Sequence, residues 1–259
     1  MNDLLRKKDL ETNPTTRVPI CLCLDVSYSM GRIVGGEVRE TGQQEYRDGK
    51  MWTLVEGGIT ALQEMVQGVQ LFYDNLIEDD TARYSAEVCV VTFGGNAPEL
   101  IMDFANLDRQ EEERQKKISG LRAIGETPMG EAVNTALDCL EKRKKEYKDA
   151  GVDYFQPWLV LMTDGEPNGS AAELERAISR TNDLANNRKL TIFPIGIGEE
   201  ADMNCLAKFS PKRPPLHLKN MNFKGFFEWL SKSVEKTSQS MPGDVVKLDL
   251  DGIKTWGEL

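Results

Sequence analysis

A carboxylate and two hydroxyls follow a short apolar segment near the start of the chain. Residues 18–24 carry no charge, and they are followed by Asp25 and then, at alternate positions, by Ser27 and Ser29. An apolar run of this kind predicts a strand that is buried on both faces of a sheet. Strand packing does not require oxygen-bearing side chains at the end of the strand, whereas a hard divalent cation takes such ligands. The pattern Asp-x-Ser-x-Ser therefore predicts a cation site at the end of the first strand.

Two later segments place oxygen-bearing side chains in a similar context. Thr127 precedes Pro128, and the pair predicts a helix over about 129–147, with Thr127 as its N-cap and Pro128 at its first position. Asp164 follows an apolar strand that is predicted over 157–162. In an open parallel sheet, ligands bind beyond the carboxyl ends of the strands, where the strand order reverses. We therefore expect five side chains to meet at one edge of the sheet: Asp25, Ser27, Ser29, Thr127 and Asp164.

The elements that must position these residues alternate along the chain. Apolar runs predict strands over 18–24, 86–93, 157–162, 190–197 and 216–218, with a short edge strand over 99–102. Helical patterns follow over 108–119, 129–147, 170–187, 202–208 and 223–238, and the first of these helices is expected to be a solvated surface helix. Such alternation predicts an α/β, Rossmann-like three-layer domain, in which a mostly parallel central sheet is covered by helices on both faces.

The segment after the two serines is unusually long for a connection. Residues 31–51 are rich in Gly, Glu, Arg and Gln, and we interpret them as a long functional or disordered loop. A helix is then predicted to begin at Thr53, because Thr53-Leu54-Val55-Glu56 matches a capping box. Apolar residues continue at helical spacing, at Val55, Ile59, Leu62, Val66 and Val69.

Composition argues against several classes of protein. The 259 residues carry a formal net charge of -10, which disfavours a binder of nucleic acid or of an anionic membrane. The longest apolar runs have five residues, too few to span a membrane. The mixed-charge start is unlike a secretory signal, and the five cysteines are expected to be mostly buried, reduced thiols of a cytoplasmic protein.

Metal chemistry based on histidine or cysteine finds no support in the sequence. The single histidine, His217, lies in a Pro-rich stretch. Cys21 and Cys23 have the wrong spacing for a zinc site, and no second cysteine pair completes one. We therefore expect the imidazole and the thiols to be packed around strands.

The oxygen-bearing residues form motifs of a known family. Asp-x-Ser-x-Ser at Asp25, Gly-x-Thr-Pro-Met-Gly around Thr127 and Leu-Met-Thr-Asp-Gly-Glu-Pro around Asp164 resemble the metal-ion-dependent adhesion site of von Willebrand factor A domains. The resemblance covers about 18–238. The stretch 226–234 is more specifically similar to the TerY/YegL-like proteins of bacterial tellurium-resistance and stress clusters. The chain departs from the family at Tyr28, where a glycine is common, and in its long 31–51 segment.

The resemblance implies roles for the five residues and a kind of partner. Ser27, Ser29 and Thr127 would contact the metal, and the two aspartates would hold it directly or through water. Few anionic ligands leave the ion under-neutralised, so its open position favours a carboxylate from a protein partner, even on an acidic protein. Mg²⁺ suits this incomplete octahedral site, with Mn²⁺ and Ca²⁺ as alternatives. The implied partner is a kinase, a phosphatase or another component of a bacterial stress or defence operon.

Two other functions are considered beside this one. A metal-dependent hydrolase of the phosphatase type is the first, but haloacid-dehalogenase phosphatases need a second Asp where Ser27 stands. The sequence also contains neither a P-loop motif nor Gly-x-Ser-x-Gly, and no nucleophile–base pair is apparent. A sheet scaffold without metal is the second. We therefore predict a domain that binds and does not catalyse.

The predicted domain organisation has three parts. A polar arm covers 1–17, a von Willebrand factor A domain covers 18–238, and a tail covers 239–259. In the tail, apolar and charged residues alternate over about 245–251, the pattern of a half-buried strand, and Ile253 and Trp256 follow. Such a strand would add to an exposed sheet edge of this domain or of a partner. A disordered tail is the alternative.

Overall fold

The computed structural model describes residues 9–47, 50–241, 250–254 and 256–258. Its strands are β1 (Val18–Asp25), β2 (Ile33–Arg47), β3 (Lys50–Thr60), β4 (Ala86–Phe93), β5 (Glu99–Met102), β6 (Trp158–Thr163), β7 (Thr191–Ile197), β8 (Leu216–Leu218) and β9 (Gly257–Glu258). Its α-helices are α1 (Ala61–Glu78), α2 (Ala82–Ser85), α3 (Leu107–Ser119), α4 (Met129–Ala150), α5 (Ala171–Asn186), α6 (Met203–Lys208), α7 (Phe223–Ser238) and α8 (Leu250–Ile253). Short 3₁₀ turns occupy Tyr28–Gly31 and Lys219–Met221.

The main sheet has the strand order β5-β4-β1-β6-β7-β8-β9. Strands β4, β1, β6, β7 and β8 are parallel, and the two edge strands, β5 and β9, are antiparallel to their neighbours. All eight residues of β1 are buried, as expected for a central strand. Because β1 pairs with β4 on one side and β6 on the other, the strand order reverses beside it, and its carboxyl end opens into the crevice of the sheet.

Helices cover both faces of this sheet. On one face, apolar side chains of α1, α3 and α7 pack against the sheet in one core. On the other face, α4, α5 and α6 enclose a second core, which includes four buried cysteines, Cys21, Cys23, Cys89 and Cys205. The predicted α/β three-layer architecture is confirmed. The strands β1 and β4 to β8 follow the predicted ranges to within one residue, whereas the edge strand β9 was not predicted.

The segment after the two serines differs most from its prediction as a long loop. In place of the predicted loop, β2 and β3 pair as an antiparallel ribbon that begins two residues after the 3₁₀ turn. Most of the described ribbon side chains are exposed, including apolar ones: Val38, Tyr46, Met51 and Leu54. The ribbon is separate from the main sheet. We call β2 and β3 together the hairpin.

The first long helix begins later than predicted. Thr53 lies within β3, and α1 begins at Ala61. The capping box is instead formed by Thr60 and Gln63, since the Gln63 amide donates to the Thr60 side chain at 3.1 Å and the Thr60 amide donates to the Gln63 side chain at 2.8 Å. Gly57 and Gly58 have φ of +80° and +76°, which lie outside the helical region, so the strand ends in a conformation that favours glycine.

A buried ionic cluster closes the end of the sheet that is opposite the carboxyl ends of the strands. Glu87, at the start of β4, accepts hydrogen bonds from Arg143 Nε (2.6 Å) and Nη2 (2.8 Å) and from the Tyr147 hydroxyl (2.6 Å), both on α4. Arg17 Nε donates to the same carboxylate at 3.2 Å. All four residues are at most 1% exposed. The cluster therefore ties the C-terminal half of α4 and residue 17 to the sheet, and we call it the Glu87 cluster.

One further prediction, for the helix α3, needs correction. The helix α3 is not solvated throughout, because four of its side chains are buried: Leu107, Gln110, Arg114 and Ile118. His217 lies in β8, the strand predicted over 216–218, and its Nε2 is 2.7 Å from the Gly198 carbonyl oxygen.

The end of the tail packs on the domain. Trp256 is 1% exposed, and its indole contacts the rings of Phe226 and Trp229 on α7. Beyond it, β9 pairs with β8 at the sheet edge. The predicted strand over 245–251 lies mostly outside the described residues, and its last two positions belong to the short helix α8. No helix in the described ranges is long and apolar enough to cross a membrane.

Candidate metal centre

The end of β1 forms a tight turn around the Asp25 carboxylate. Asp25 Oδ1 accepts a hydrogen bond from the Ser27 amide at 2.8 Å, and Oδ2 accepts one from the Thr163 hydroxyl at 2.6 Å. Since Thr163 is the last residue of β6, these bonds join the ends of two adjacent strands. The turn is held from outside by backbone bonds, from the Val26 amide to the Phe93 carbonyl (2.8 Å) and from the Tyr28 amide to the Gly125 carbonyl (3.1 Å).

The two serines and Asp164 are in direct contact. Ser27 Oγ lies 3.0 Å from Ser29 Oγ, and Ser29 Oγ donates to Asp164 Oδ1 at 2.7 Å. The other oxygen, Asp164 Oδ2, is buried and accepts no hydrogen bond from the described residues. A buried carboxylate oxygen without a donor is costly unless a cation compensates it. The hydroxyl and carboxylate oxygens gathered here are ligands that a hard divalent cation accepts.

Thr127 reaches the same edge of the sheet from the loop before α4. The N-cap of α4 is Pro128 and not Thr127, contrary to the prediction, so the Thr127 hydroxyl is not used as a helix cap. The Thr127 amide donates to Asn168 Oδ1 at 2.6 Å, and its carbonyl accepts from the Asn168 amide at 3.2 Å. A Cβ built on Gly165 would lie 3.9 Å from Thr127 Oγ1, which places this hydroxyl beside the residue that follows Asp164.

Close backbone packing supports the turn over Asp25–Ser29, which we call the metal loop. Gly125 has φ +63°, and a Cβ built there would clash with the backbone of Gly95. The loop before Thr127 therefore lies directly on the loop that follows β4. A side chain at position 125 would separate these two loops and displace the carbonyl that holds Tyr28.

Asp25 ends β1 and Asp164 directly follows β6, and both aspartates are fully buried. Burial, and next the negative charge of Asp164, raise the pKa of Asp25 to about 7, against the opposing effect of hydrogen bonds from Ser27 and Thr163. Burial also raises the pKa of Asp164, while the Ser29 hydrogen bond and the charge of Arg32 act in the opposite direction. Two carboxyl groups that resist ionisation side by side would be stabilised as carboxylates by a divalent cation.

Three further residues take part in this centre and are not among the predicted ones. Thr163 binds Asp25, Asn168 holds Thr127, and Arg32 Nη1 lies 3.7 Å from Asp164 Oδ2. The position of Thr163, directly before Asp164, was an available signal. Nothing local marks Arg32 or Asn168, because their roles depend on contacts with segments far away in the chain. Among the described residues, no group of three or more His, Cys, Asp and Glu side chains could hold a metal.

Solved structures share the fold at low sequence identity. The von Willebrand factor domain of the type V pili tip protein Mfa5 from Porphyromonas gingivalis matches 90% of this chain and 99% of its own, with a TM-score of 0.58 and 12% identity. A von Willebrand factor type A protein from Catenulispora acidiphila matches 85% of this chain and 43% of its own, with a TM-score of 0.54 and 16% identity.

A mussel byssus protein also has the same fold. Proximal thread matrix protein 1, in a structure with a zinc-occupied adhesion-site motif, matches 85% of this chain and 48% of its own, with a TM-score of 0.52 and 18% identity. This chain thus spans less than half the length of that protein and of the Catenulispora protein. No curated protein matches the chain.

A family model gives the decisive comparison. The model of the von Willebrand factor type A domain matches residues 56–227, which is well over half of the chain. The matched residues include Thr127 and Asp164, and the Asp25–Ser29 turn precedes them. In the structure, that turn belongs to the central strand of the same sheet. The chain therefore belongs to the von Willebrand factor type A domain family.

Proposed function

We propose that this chain is a non-catalytic domain that binds a divalent cation and uses it to engage a protein partner. The proposed ligands are Asp25, Ser27, Ser29, Thr127 and Asp164. One observation carries the proposal: Ser29 is hydrogen-bonded to both Ser27 and Asp164, so the ends of β1 and β6 converge beside the Asp164 oxygen that accepts no hydrogen bond from the described residues.

The proposed cation is Mg²⁺. Three hydroxyls and two carboxylates form an oxygen-only set, and an ion held by few anionic ligands keeps waters and an open position. The zinc-occupied motif of the mussel protein supports a divalent ion in this fold. When bound, the ion would supply a positive anchor for a carboxylate on an otherwise acidic protein.

The proposed partner is a protein that offers an acidic side chain. The ion would bind that side chain without regard to the sequence around it, so specificity must come from the neighbouring surface. We assign this role to the hairpin, which leaves the metal loop directly and exposes Val38, Tyr46, Met51 and Leu54. The resemblance to TerY/YegL-like proteins motivates a cytoplasmic setting in a bacterial tellurium-resistance or stress system, with a kinase or phosphatase as partner.

Titration calorimetry with Mn²⁺ and Mg²⁺ tests the cation site. Ser29→Ala and Thr127→Val each remove one hydroxyl ligand, and we expect each to weaken Mn²⁺ binding by about tenfold or more. Ser238→Ala, at the far end of α7, removes a hydroxyl that donates to the Glu235 carbonyl and serves as the control. Circular dichroism would verify folding. Unchanged Mn²⁺ affinity in both ligand variants, or no binding by the wild type, would overturn the proposal.

We expect the protein to have no phosphatase activity. A haloacid-dehalogenase phosphatase needs an aspartate where Ser27 stands, and Ser27 Oγ is engaged with Ser29. We expect the Mn²⁺-loaded protein to release no phosphate from p-nitrophenyl phosphate above the level of the Ser29→Ala variant. Release that depends on Ser29 would instead favour the hydrolase.

A further inference from the structure

Arg32 is fixed by its backbone between the metal loop and the first long helix. It follows the 3₁₀ turn that contains Ser29, and its amide donates to the Ser29 carbonyl at 3.0 Å. Its own carbonyl accepts from the amide of Ala61, the first residue of α1, at 3.0 Å. The Cα of Arg32 therefore has a defined position beside the candidate ligands.

The Arg32 side chain extends across the ends of two neighbouring strands. Nη1 lies 3.7 Å from Asp164 Oδ2, at the end of β6, and Nη2 donates to the Ile197 carbonyl, at the end of β7, at 3.1 Å. The next residue, Gly198, has φ +74°, and a Cβ built there would clash with Nη2. The guanidinium thus occupies space that a side chain at position 198 would fill, and the Arg32 side chain is 21% exposed.

The contact with Asp164 is an ion pair without a hydrogen bond. Asp164 Oδ2 accepts no hydrogen bond from the described residues, so Arg32 compensates its charge through space at 3.7 Å. Such a pair relieves part of the cost of burying a carboxylate, but it holds the oxygen less firmly than direct coordination does. A divalent ion bound to the same oxygen would carry twice the charge at a shorter distance, and it would be repelled by the guanidinium next to it.

We propose that Arg32 is the resident counter-ion of the metal-free centre and that it competes with the divalent cation for Asp164. This inference rests on the proposed function, and it adds that the chain lowers its own affinity for the cation. A partner carboxylate would neutralise both the ion and the guanidinium beside it. Cation and acidic partner would then bind cooperatively, because each reduces the electrostatic cost of the other.

Mn²⁺ calorimetry on three variants tests the competition. Arg32→Gln removes the charge, and we expect it to bind Mn²⁺ about tenfold more tightly than the wild type. Arg32→Lys keeps the charge and should remain close to the wild type. Arg122→Gln is the matched control, because it removes the same charge from a guanidinium that donates to the Ser119 and Leu121 carbonyls, and its affinity should not change.

Thermal unfolding in EDTA tests the counter-ion role without any metal. At pH ~7.5, Arg32→Gln should have a lower melting temperature than the wild type, because Asp164 has lost its compensating charge. The melting temperature of Arg122→Gln should equal that of the wild type. Higher Mn²⁺ affinity together with lower metal-free stability supports the proposal. Unchanged or weaker Mn²⁺ affinity in folded Arg32→Gln overturns it.

The two proposals fail in different ways. If neither the wild type nor Arg32→Gln binds Mn²⁺, the cation function fails and the competition fails with it. If the wild type binds Mn²⁺ through Ser29 but Arg32→Gln binds no more tightly, the cation function stands and the role of Arg32 is refuted. Equal gains in Arg32→Gln and Arg122→Gln would also refute it, because the effect would then be one of overall charge.

Discussion

Replacing Asp25 with Asn is expected to stabilise the metal-free protein while removing its affinity for divalent cations. An ordinary aspartate has a pKa of 3.8, whereas burial and the charge of Asp164 raise the pKa of Asp25 to about 7. Each pKa unit between the unfolded and the folded state corresponds to about 1.4 kcal/mol. Above pH ~7, the ionised Asp25 carboxylate therefore lowers the free energy of unfolding by about 4 kcal/mol. Asn removes this charge.

The shape of Asn suits both contacts of the aspartate. Its Oδ1 can accept from the Ser27 amide as Asp25 Oδ1 does, and its Nδ2 can donate to the Thr163 hydroxyl in place of the bond that Oδ2 accepts. The two bonds lose their charge-assisted strength, which reduces the gain. We therefore expect Asp25→Asn to raise the free energy of unfolding in EDTA by about 2 to 4 kcal/mol at pH ~8.

The pH dependence gives the prediction its sign. Because the pKa of Asp25 is higher in the folded than in the unfolded state, the wild type loses stability as the pH rises from about 4 through about 7. Asp25→Asn lacks this loss, so its advantage should be small at pH ~4.5 and full at pH ~8. Urea unfolding at the two values measures it, and Asp149→Asn, at an exposed position of α4, is the control.

Two outcomes would refute this reasoning. If the advantage of Asp25→Asn does not grow between pH ~4.5 and pH ~8, the buried carboxylate is not the source of electrostatic strain in the metal-free centre. If calorimetry shows that Asp25→Asn binds Mn²⁺ as the wild type does, Asp25 does not contribute to the cation site.

Three further changes test the surrounding structure. Glu87→Gln leaves buried arginines without their carboxylate, so the free energy of unfolding in urea should fall by about 3 to 5 kcal/mol, against little change for the exposed Glu141→Gln. Trp256→Ala removes an indole that packs on Phe226, and the same measurement should show a loss of about 3 to 5 kcal/mol. Replacing 34–59 with a short Gly-Ser linker removes the hairpin, and we expect calorimetric Mn²⁺ affinity to persist while capture of the protein partner in a pull-down falls.

Each of these expectations can be contradicted by a simple result. An unfolding midpoint of Glu87→Gln equal to that of Glu141→Gln would mean that the Glu87 cluster adds nothing to stability. Unchanged stability of Trp256→Ala would mean that the tail does not dock on α7 in solution. Full partner capture by the hairpin-deleted protein would show that the hairpin does not determine partner specificity. Loss of Mn²⁺ binding would show that the hairpin also shapes the metal loop.

The parallel strands of the main sheet could be predicted because each is a mostly apolar run. Strand β4 was predicted at Ala86–Phe93, where it is found, since a buried parallel strand needs apolar residues on both faces. The last long helix was predicted for the same reason, from the regular spacing of its aromatic residues. Where burial alone decides the structure, the sequence pattern is sufficient.

The hairpin could not be predicted in this way, because its side chains are mostly exposed. Thr53 with Glu56 matches the capping pattern as well as Thr60 with Gln63 does, and apolar residues of β3 continue the helical spacing of α1 by coincidence. One signal was available: a helix from Thr53 would contain Gly57 and Gly58, at a cost of about 1 kcal/mol each relative to Ala. At the candidate site, the five motif residues could be predicted from the sequence. Arg32 could not, because its role depends on contacts with residues far away in the chain.

The helix α4 links the candidate metal centre to the Glu87 cluster at the opposite end of the sheet. Its 22 residues span about 33 Å, from the residue after Pro128 to the end held by the Glu87 cluster. A shift of Thr127 along the helix axis must either break the buried ion pair at the far end or bend the loop over 120–128. Because the loop is much the easier to deform, a load applied at Thr127 along this axis would bend the loop, while α4 keeps its length.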